Sequence, residues 1–358
     1  MKIPNLTKPP RFIDSAIGNY WIVSTDPLIF YIPQWIMIEP HRIYMGRKYD
    51  VLFDYLKDQA AVFLCNWNWR TESVEEAQAI RILQAKHAEI YPHHQFIHLC
   101  NTIRQKDVFE EYGLQAAFIN QNCFIDENIF KPIDGSHKFY DAVYDAQIAN
   151  YKRHDLATDI KNLSLIYYSI PIDQSAVAYT HEITTKLAGA HFFNHDESGE
   201  YRLLRHEEVN QCLNQCKVGL CLSQVEGAMY ASMQYLLAGL PIVSTRSEGG
   251  RDVFFDDEYV VIVDDHPEAV SKGIENLVKR NIDPYLIRNR TLEKIREHRA
   301  RFISLVQELY DSVGAKKRFA DEWEKVFIHT LSVELNHYRV IGYLQSLKNK
   351  KVDPIQAS

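Results

Sequence analysis

The chain has 358 residues, of which 46% are hydrophobic and 24% charged, and its formal net charge at pH 7 is −7. That length exceeds one ordinary domain and predicts two of roughly 150 residues each in a globular protein. The acidic balance argues against a broad nucleic-acid surface, which would need clustered Lys and Arg.

Six cysteines, Cys65, Cys100, Cys123, Cys212, Cys216 and Cys221, lie in apolar or helical contexts and form no Cys-x-x-Cys pair. They read as reduced core thiols and predict a cytoplasmic setting. The first residues lack the basic stretch, apolar core and cleavage site of a secretory leader. Tyr20 to Ile38 is the most apolar stretch, but Asp26, Pro27, Pro33 and Gln34 interrupt it, so it does not read as a membrane span. Peripheral contact with the cytoplasmic face of a membrane is compatible with this pattern.

In chain order, residues 1–20 form an extended lead-in, and Trp21 to Ser24 and Ile29 to Ile32 are candidate strands broken by Asp26-Pro27. Val51 to Lys57 predicts a short helix and Ala60 to Cys65 a buried strand. The strand delivers Asn66-Trp67-Asn68-Trp69-Arg70 to a loop, where two aromatics beside amides and a guanidinium can either stack on a sugar ring or pack the loop onto the domain. Ser73 to Tyr91 is a helix with Ser73 and Glu76 spaced as a capping box. Phe96 to Cys100 is the next strand, Gln105 to Tyr112 a helix stopped by Gly113, and Ala116 to Ile119 another strand. Such alternation predicts a parallel sheet and a Rossmann-like domain over 1–132.

Asn120 to Pro132 is polar, aromatic and turn-rich, as a domain connection should be, and the pattern then restarts. Tyr140 to Tyr144 reads as a strand, Lys152 to Leu163 a helix, Leu165 to Tyr168 a strand, Asp173 to Leu187 a helix, Ala190 to Phe193 a strand and His206 to Cys216 a helix. Val218 to Leu222 is a buried strand, followed by an apolar helix that Gly239 stops, and Pro241 to Ser244 and Tyr259 to Val263 are further strands before a helix at Pro267 to Arg280. These elements predict a second Rossmann-like domain over 133–315, facing the first across a central crevice. Helices at Tyr285 to Leu309 and Phe319 to Lys348 close the chain, with 316–350 packing back across the domains and 348–358 a frayed tail.

Ligands in such folds sit at the carboxyl ends of the strands, with anions at helix amino termini. The turn Ser223-Gln-Val-Glu226-Gly227-Ala228-Met229 after one strand, and Thr245 to Glu248-Gly249-Gly250-Arg251 after the next, therefore face one small molecule. Gln147, Lys152 and Arg153 follow the first strand of the same domain and reach the same sheet edge. A cation, a carboxylate and a helix terminus on one rim suit a ligand carrying a diphosphate and hydroxyls, that is, a nucleotide-sugar.

From about Ile119 to Arg299 these residues resemble the donor half of the two-Rossmann-domain (GT-B) glycosyltransferases, most like the retaining family four. Ser223, Glu226, Gly227, Gly239, Pro241, Val243, Gly249 and Gly250 match its pattern in order and spacing, and Asp126, Phe130 and Pro132 match its interdomain segment. The resemblance implies a glycosyltransferase that moves a sugar from a nucleotide-sugar to a glycan or glycolipid hydroxyl with retention of configuration, and without a metal or other cofactor. It assigns Glu226 to the sugar hydroxyls and Lys152, with the amides of Gly227, Ala228 and Met229, to the diphosphate, with Arg153 and Arg251 as further diphosphate candidates. Two positions depart from the pattern: Gln234 replaces the second Glu, which binds ribose, and Gln147 replaces the diphosphate Arg. The first domain lacks the family's Gly-rich loop, leaving Trp67, Trp69, Arg70, His98 and Asn101 as acceptor candidates, with a core role open for His98. A nucleotide-sugar epimerase and a non-catalytic nucleotide-sugar binder are the alternatives, and a phosphorylase ranks last.

Overall fold

The computed structural model describes residues 19–32, 36–39, 42–45, 49–168, 174–326 and 335–352. They divide into two compact units, one of 19–124 with 297–352 and one of 125–296. The expected lead-in at 1–20 and the tail at 348–358 lie largely outside the described residues.

In the first unit, β1 (Asn19–Thr25) and β2 (Leu28–Ile32) form an antiparallel hairpin, and β3 (Ile36–Glu39) and β4 (Arg42–Met45) a separate two-stranded ribbon. After α1 (Asp50–Tyr55), strands alternate with helices: β5 (Ala61–Asn66), α2 (Val74–Ile90), β6 (His94–Cys100), α3 (Ile103–Glu111) and β7 (Ala116–Phe118). Strands β2, β5, β6 and β7 pair in parallel in that order. β5 and β6 are apolar on successive positions because helices cover parallel sheets on both faces. Phe30, Phe63 and Phe96 stack across three neighbouring strands with ring centroids 5.5 and 5.3 Å apart. Each such side chain, taken fully out of water, contributes about 1.5–3 kcal/mol. The capping box forms as its spacing predicts: Glu76 N donates to Ser73 Oγ at 3.2 Å, and Ser73 N to Glu76 Oε2 at 2.9 Å.

The second unit carries six parallel strands in the order β10-β9-β8-β11-β12-β13. They are β8 (Tyr140–Gln147), β9 (Leu163–Tyr168), β10 (His191–Phe192), β11 (Cys216–Cys221), β12 (Ile242–Thr245) and β13 (Val260–Val263). The helices between them are α4 (Gln174–Lys186), α5 (His206–Asn214), α6 (Tyr230–Leu237) and α7 (Pro267–Arg280). The helix expected over Lys152 to Leu163 does not form. Two short 3-10 turns, Asn150–Lys152 and His154–Ala157, stand there, because Arg153 between them adopts a left-handed conformation (φ 52°) that a helix cannot contain, and Leu163 already belongs to β9.

α6 ends at Gly239, whose φ of +76° needs glycine and where a Cβ would lie 2.5 Å from Pro284, the first residue of α8 (Pro284–Ser312). Arg288 of α8 donates to the carbonyls of Glu127, Phe130 and Leu237 at 2.6–2.9 Å, fixing the 127–130 segment within this unit. The boundary between the units falls inside α8, and its later turns belong to the first unit, where His298 accepts from Asn120 N at 3.2 Å and Arg299 donates to Cys123 O at 2.7 Å.

The single helix expected over Phe319 to Lys348 is three elements in the described residues: α9 (Phe319–Val326), β14 (Leu335–Asn336) and α10 (His337–Val352). Leu335, which fits the helical spacing, pairs instead with Tyr20 and gives β1 an antiparallel neighbour. Val340 and Leu344 of α10 then bury in the first unit's core. Among the described residues, no helix is long and apolar enough to cross a membrane.

Candidate functional site

The turns expected to hold a ligand converge at the carboxyl ends of β8, β11 and β12 in the second unit. Gly219 in β11 leaves room for α6 to lie against the strand, since a Cβ there would stand 2.4 Å from the Tyr235 ring. Beyond β11, the backbone of 224–227 is stitched to that of 248–250. Glu226 N donates to Glu248 O, Glu248 N to Gln224 O, and Gly250 N to Gly227 O, at 3.0, 3.0 and 2.6 Å. Gly249 makes this possible with φ 99° and ψ −165°, a conformation essentially restricted to glycine. Ala228 and Met229 lie buried immediately ahead of α6, and Gln234 is partly exposed on it.

Lys152 comes from the first 3-10 turn, which Gln224 N ties to the same loop through Tyr151 O at 3.3 Å. Its ammonium donates to Glu226 Oε1 and lies over the Tyr151 ring, 5.1 Å from the centroid. Both members of the pair are buried, with Lys152 8% and Glu226 6% exposed. The Lys152 carbonyl accepts from the Tyr144 hydroxyl, so main chain as well as side chain is held. Gln147, at the end of β8, is partly exposed and accepts from the Tyr151 hydroxyl at 3.3 Å.

The two arginines expected near the diphosphate have their donors engaged elsewhere. Arg251 is fully buried, with its guanidinium on the carbonyls of Cys221 (3.2 Å), Ser223 (2.8 Å) and Thr245 (2.6 Å) and its Nε on Asp252 (2.7 Å). It closes the ends of β11 and β12, and Ser223 is buried with it. Arg153 donates to Leu222 O, Thr245 Oγ1 and Asp265 Oδ2, each at 2.6 Å. Carbonyls that lose their ladder partners where strands end need donors, and these side chains supply them. Arg246, at the end of β12, is exposed.

Sequence reasoning passed over a group beside Lys152. Asp145 lies two residues before Gln147 on β8 and shares its face of the sheet. Its backbone N–H donates to the Tyr235 hydroxyl at 2.6 Å, while among the described residues no hydrogen bond or ion pair reaches its carboxylate. Asp145 keeps some exposure, and desolvation by its surroundings pushes its pKa upward against a downward pull from Lys152. Burial raises Tyr168, on the neighbouring strand, to about 12, with the charges of Asp145 and Glu226 adding to the effect. The signal available in the sequence was a second acid in β8 after Asp141, placed just ahead of Gln147 at the strand's carboxyl end.

The candidates in the first unit separate by burial. Trp67 is fully buried against His98 and Phe109, with ring centroids 5.5 Å from each, so of its two expected roles it takes the packing one and is not placed to stack on a sugar. His98 is a core residue: Nε2 meets Gln84 Oε1 at 3.1 Å, and burial lowers its pKa to about 3. Asn101 is buried at the end of β6, donating to Trp67 O and accepting from Gln121 N, so its amide ties loops together. Trp69 and Arg70 stay partly accessible on the 66–71 loop, Arg70 within 3.7 Å of Glu72.

No family model and no curated protein matches the sequence. Solved structures do resemble it. HepE from Anabaena in complex with UDP superposes with a TM-score of 0.52 at 13% identity, covering 73% of this chain and 75% of its own, and its complex with UDP and glucose gives 0.51 at 12% over 73% and 74%. Sucrose-phosphate synthase from Thermosynechococcus elongatus gives 0.51 at 12% identity over 79% of this chain and 86% of its own. The chain thus has the α/β fold of these structures, with the two Rossmann-like sheets of the GT-B type.

Proposed function

We propose that the protein is a glycosyltransferase that moves a sugar from a nucleotide-sugar donor to an acceptor hydroxyl of a glycan or glycolipid, with retention of configuration and without a metal. The observation that carries this reading is the buried Lys152–Glu226 pair at the end of the donor-type sheet. A donor diphosphate would draw the ammonium away from Glu226, and the released carboxylate would accept hydrogen bonds from the sugar hydroxyls. Lys152 and the backbone ahead of α6 would then stabilise the charge that gathers on the diphosphate as its bond to the sugar breaks. The acceptor oxygen takes that place on the anomeric carbon, and its proton leaves with the nucleoside diphosphate.

HepE is named as a complex with UDP, so uridine donors come first in a test. The protein is incubated with UDP-, GDP-, CDP- and ADP-sugars, with and without candidate acceptors, and nucleotide release is followed. Release that needs an acceptor and falls at least about a hundredfold in Lys152→Ala and Glu226→Ala supports transfer. Epimer formed without an acceptor would identify an epimerase, and binding without turnover a nucleotide-sugar binder. Wild-type rates in both variants would remove the assignment.

A further inference from the structure

We propose that Arg153 is a positioning residue for the transfer step: its guanidinium clamps the turn that carries Lys152 to the strand ends beside Glu226, and holds Lys152 at the rim once a donor has parted the pair. The proposal rests on the nucleotide-sugar reading above and deepens it.

Lys152 and Glu226 belong to separate segments. One follows β8 and the other follows β11, and their ion pair joins the two. A diphosphate that draws the ammonium away undoes this joint at the moment when Lys152 has to be in place. The backbone bond from Gln224 N to Tyr151 O is long, at 3.3 Å. Arg153, the next residue after Lys152, ties the same segments at close range. Its Nε donates to Leu222 O at the end of β11, its Nη2 to Thr245 Oγ1 at the end of β12, and its Nη1 to Asp265 Oδ2 ahead of α7, each at 2.6 Å. Thr245 Oγ1 in turn donates to Leu222 O at 3.2 Å, so two acceptors of the clamp are fixed to each other. A planar fork can span these oxygens, and a single ammonium cannot.

The backbone at Arg153 supports the same role. Its φ of 52° and ψ of 52° are left-handed, a conformation that glycine adopts freely and arginine only at a cost. Such a conformation persists where the surroundings over-determine it, and here the three side-chain bonds do so. Asp265 meets the charge of the guanidinium, and 17% of the Arg153 side chain is exposed. These contacts fit a clamp within the protein rather than an anion site.

The test is a double-mutant cycle on the full chain, using whichever of UDP-, GDP-, CDP- and ADP-glucose the wild type turns over with an acceptor. Arg153→Gly eases the backbone and deletes the clamp, and should lower kcat/KM by about tenfold or more. In a Lys152→Ala background the same change should cost less than about twofold, because a clamp acts only through the lysine it holds. Equal losses in both backgrounds overturn the proposal, and so does a wild-type rate in Arg153→Gly. If Arg153→Gly does not fold, Thr245→Val removes one acceptor of the clamp and carries the same comparison, with a loss of about threefold expected only where Lys152 is present. Hydrogen exchange without ligand separates the clamp from the donor reading. Residues 149–157 and 222–227 should exchange about tenfold faster in either variant than in the wild type, and unchanged exchange overturns the clamp. If the wild type neither binds nor turns over any of the four donors, the donor reading fails, while faster exchange in the variants still assigns the clamp to Arg153.

Discussion

The Lys152 ammonium and the Glu226 carboxylate, 74 residues apart in sequence, form one buried ion pair at the carboxyl end of the second unit's sheet. Removing one partner leaves the other charged and desolvated. Lys152→Met or Glu226→Gln alone should therefore cost on the order of 3–5 kcal/mol in urea unfolding, and the double variant clearly less than the sum. Strictly additive losses would mean that the two side chains do not support each other.

Arg251 should behave as a structural residue. Arg251→Met removes the guanidinium donors from the carbonyls of Cys221, Ser223 and Thr245, of which Cys221 and Thr245 are also reached by the Ser244 hydroxyl, and should lower stability by about 1–3 kcal/mol. A variant that unfolds at the wild-type urea concentration but binds nucleotide-sugars less tightly would return this arginine to the ligand.

In the 66–71 loop, the two tryptophans should separate cleanly. Trp67→Ala empties a site with no exposure and should cost about 3–5 kcal/mol, whereas Trp69→Ala, at 38% exposure, should stay within about 1 kcal/mol of wild type. If Trp69 meets an acceptor, its loss appears as a raised KM for that acceptor with stability unchanged.

That contrast indicates what was legible in the sequence. Runs such as Ala61 to Cys65 and Val218 to Cys221 announce buried parallel strands, Ser73 with Glu76 marks a helix start, and Gly239 marks a helix end, because local sterics and hydrogen bonding decide these features. The resembled pattern put Lys152 and Glu226 on one rim with separate ligand roles, and only the fold shows that they pair directly. Burial was harder to read: Trp67 and Trp69 stand in nearly the same local sequence, and only tertiary packing distinguishes them. Arg153 and Arg251 mislead for the same reason, since a guanidinium serves a strand-end carbonyl as well as a phosphate. The break in Phe319 to Lys348 was hidden because Leu335 satisfies both the helical period and a strand edge.

Acid should unfold the protein early. Burial lowers His87, His98 and His154 to about 3 and His298 to about 4, from an ordinary value of 6.5. In the unfolded chain each takes up a proton below pH 6.5 that the folded state refuses, so the stability they allow is present above that pH and is lost as pH falls. Each should cost up to about 2 kcal/mol by pH 5. His154→Phe keeps a ring against Tyr144 and removes two buried nitrogens without hydrogen-bond partners, so it should raise Tm more at pH 5 than at pH 8. An equal rise at both values would detach His154 from the acid transition.

All six cysteines are buried thiols, and burial raises the pKa of Cys100, Cys123, Cys212, Cys216 and Cys221. Nucleophilic attack needs an accessible thiolate, so the native chain should stay inert to maleimides and alkylating agents. The molecule therefore comes with a blank background for labelling. A dye attached through one substitution at an exposed position, such as Glu207→Cys on α5, would be the sole native-state label, and its companions would react only as the fold opens, timing the unfolding of each sheet from within.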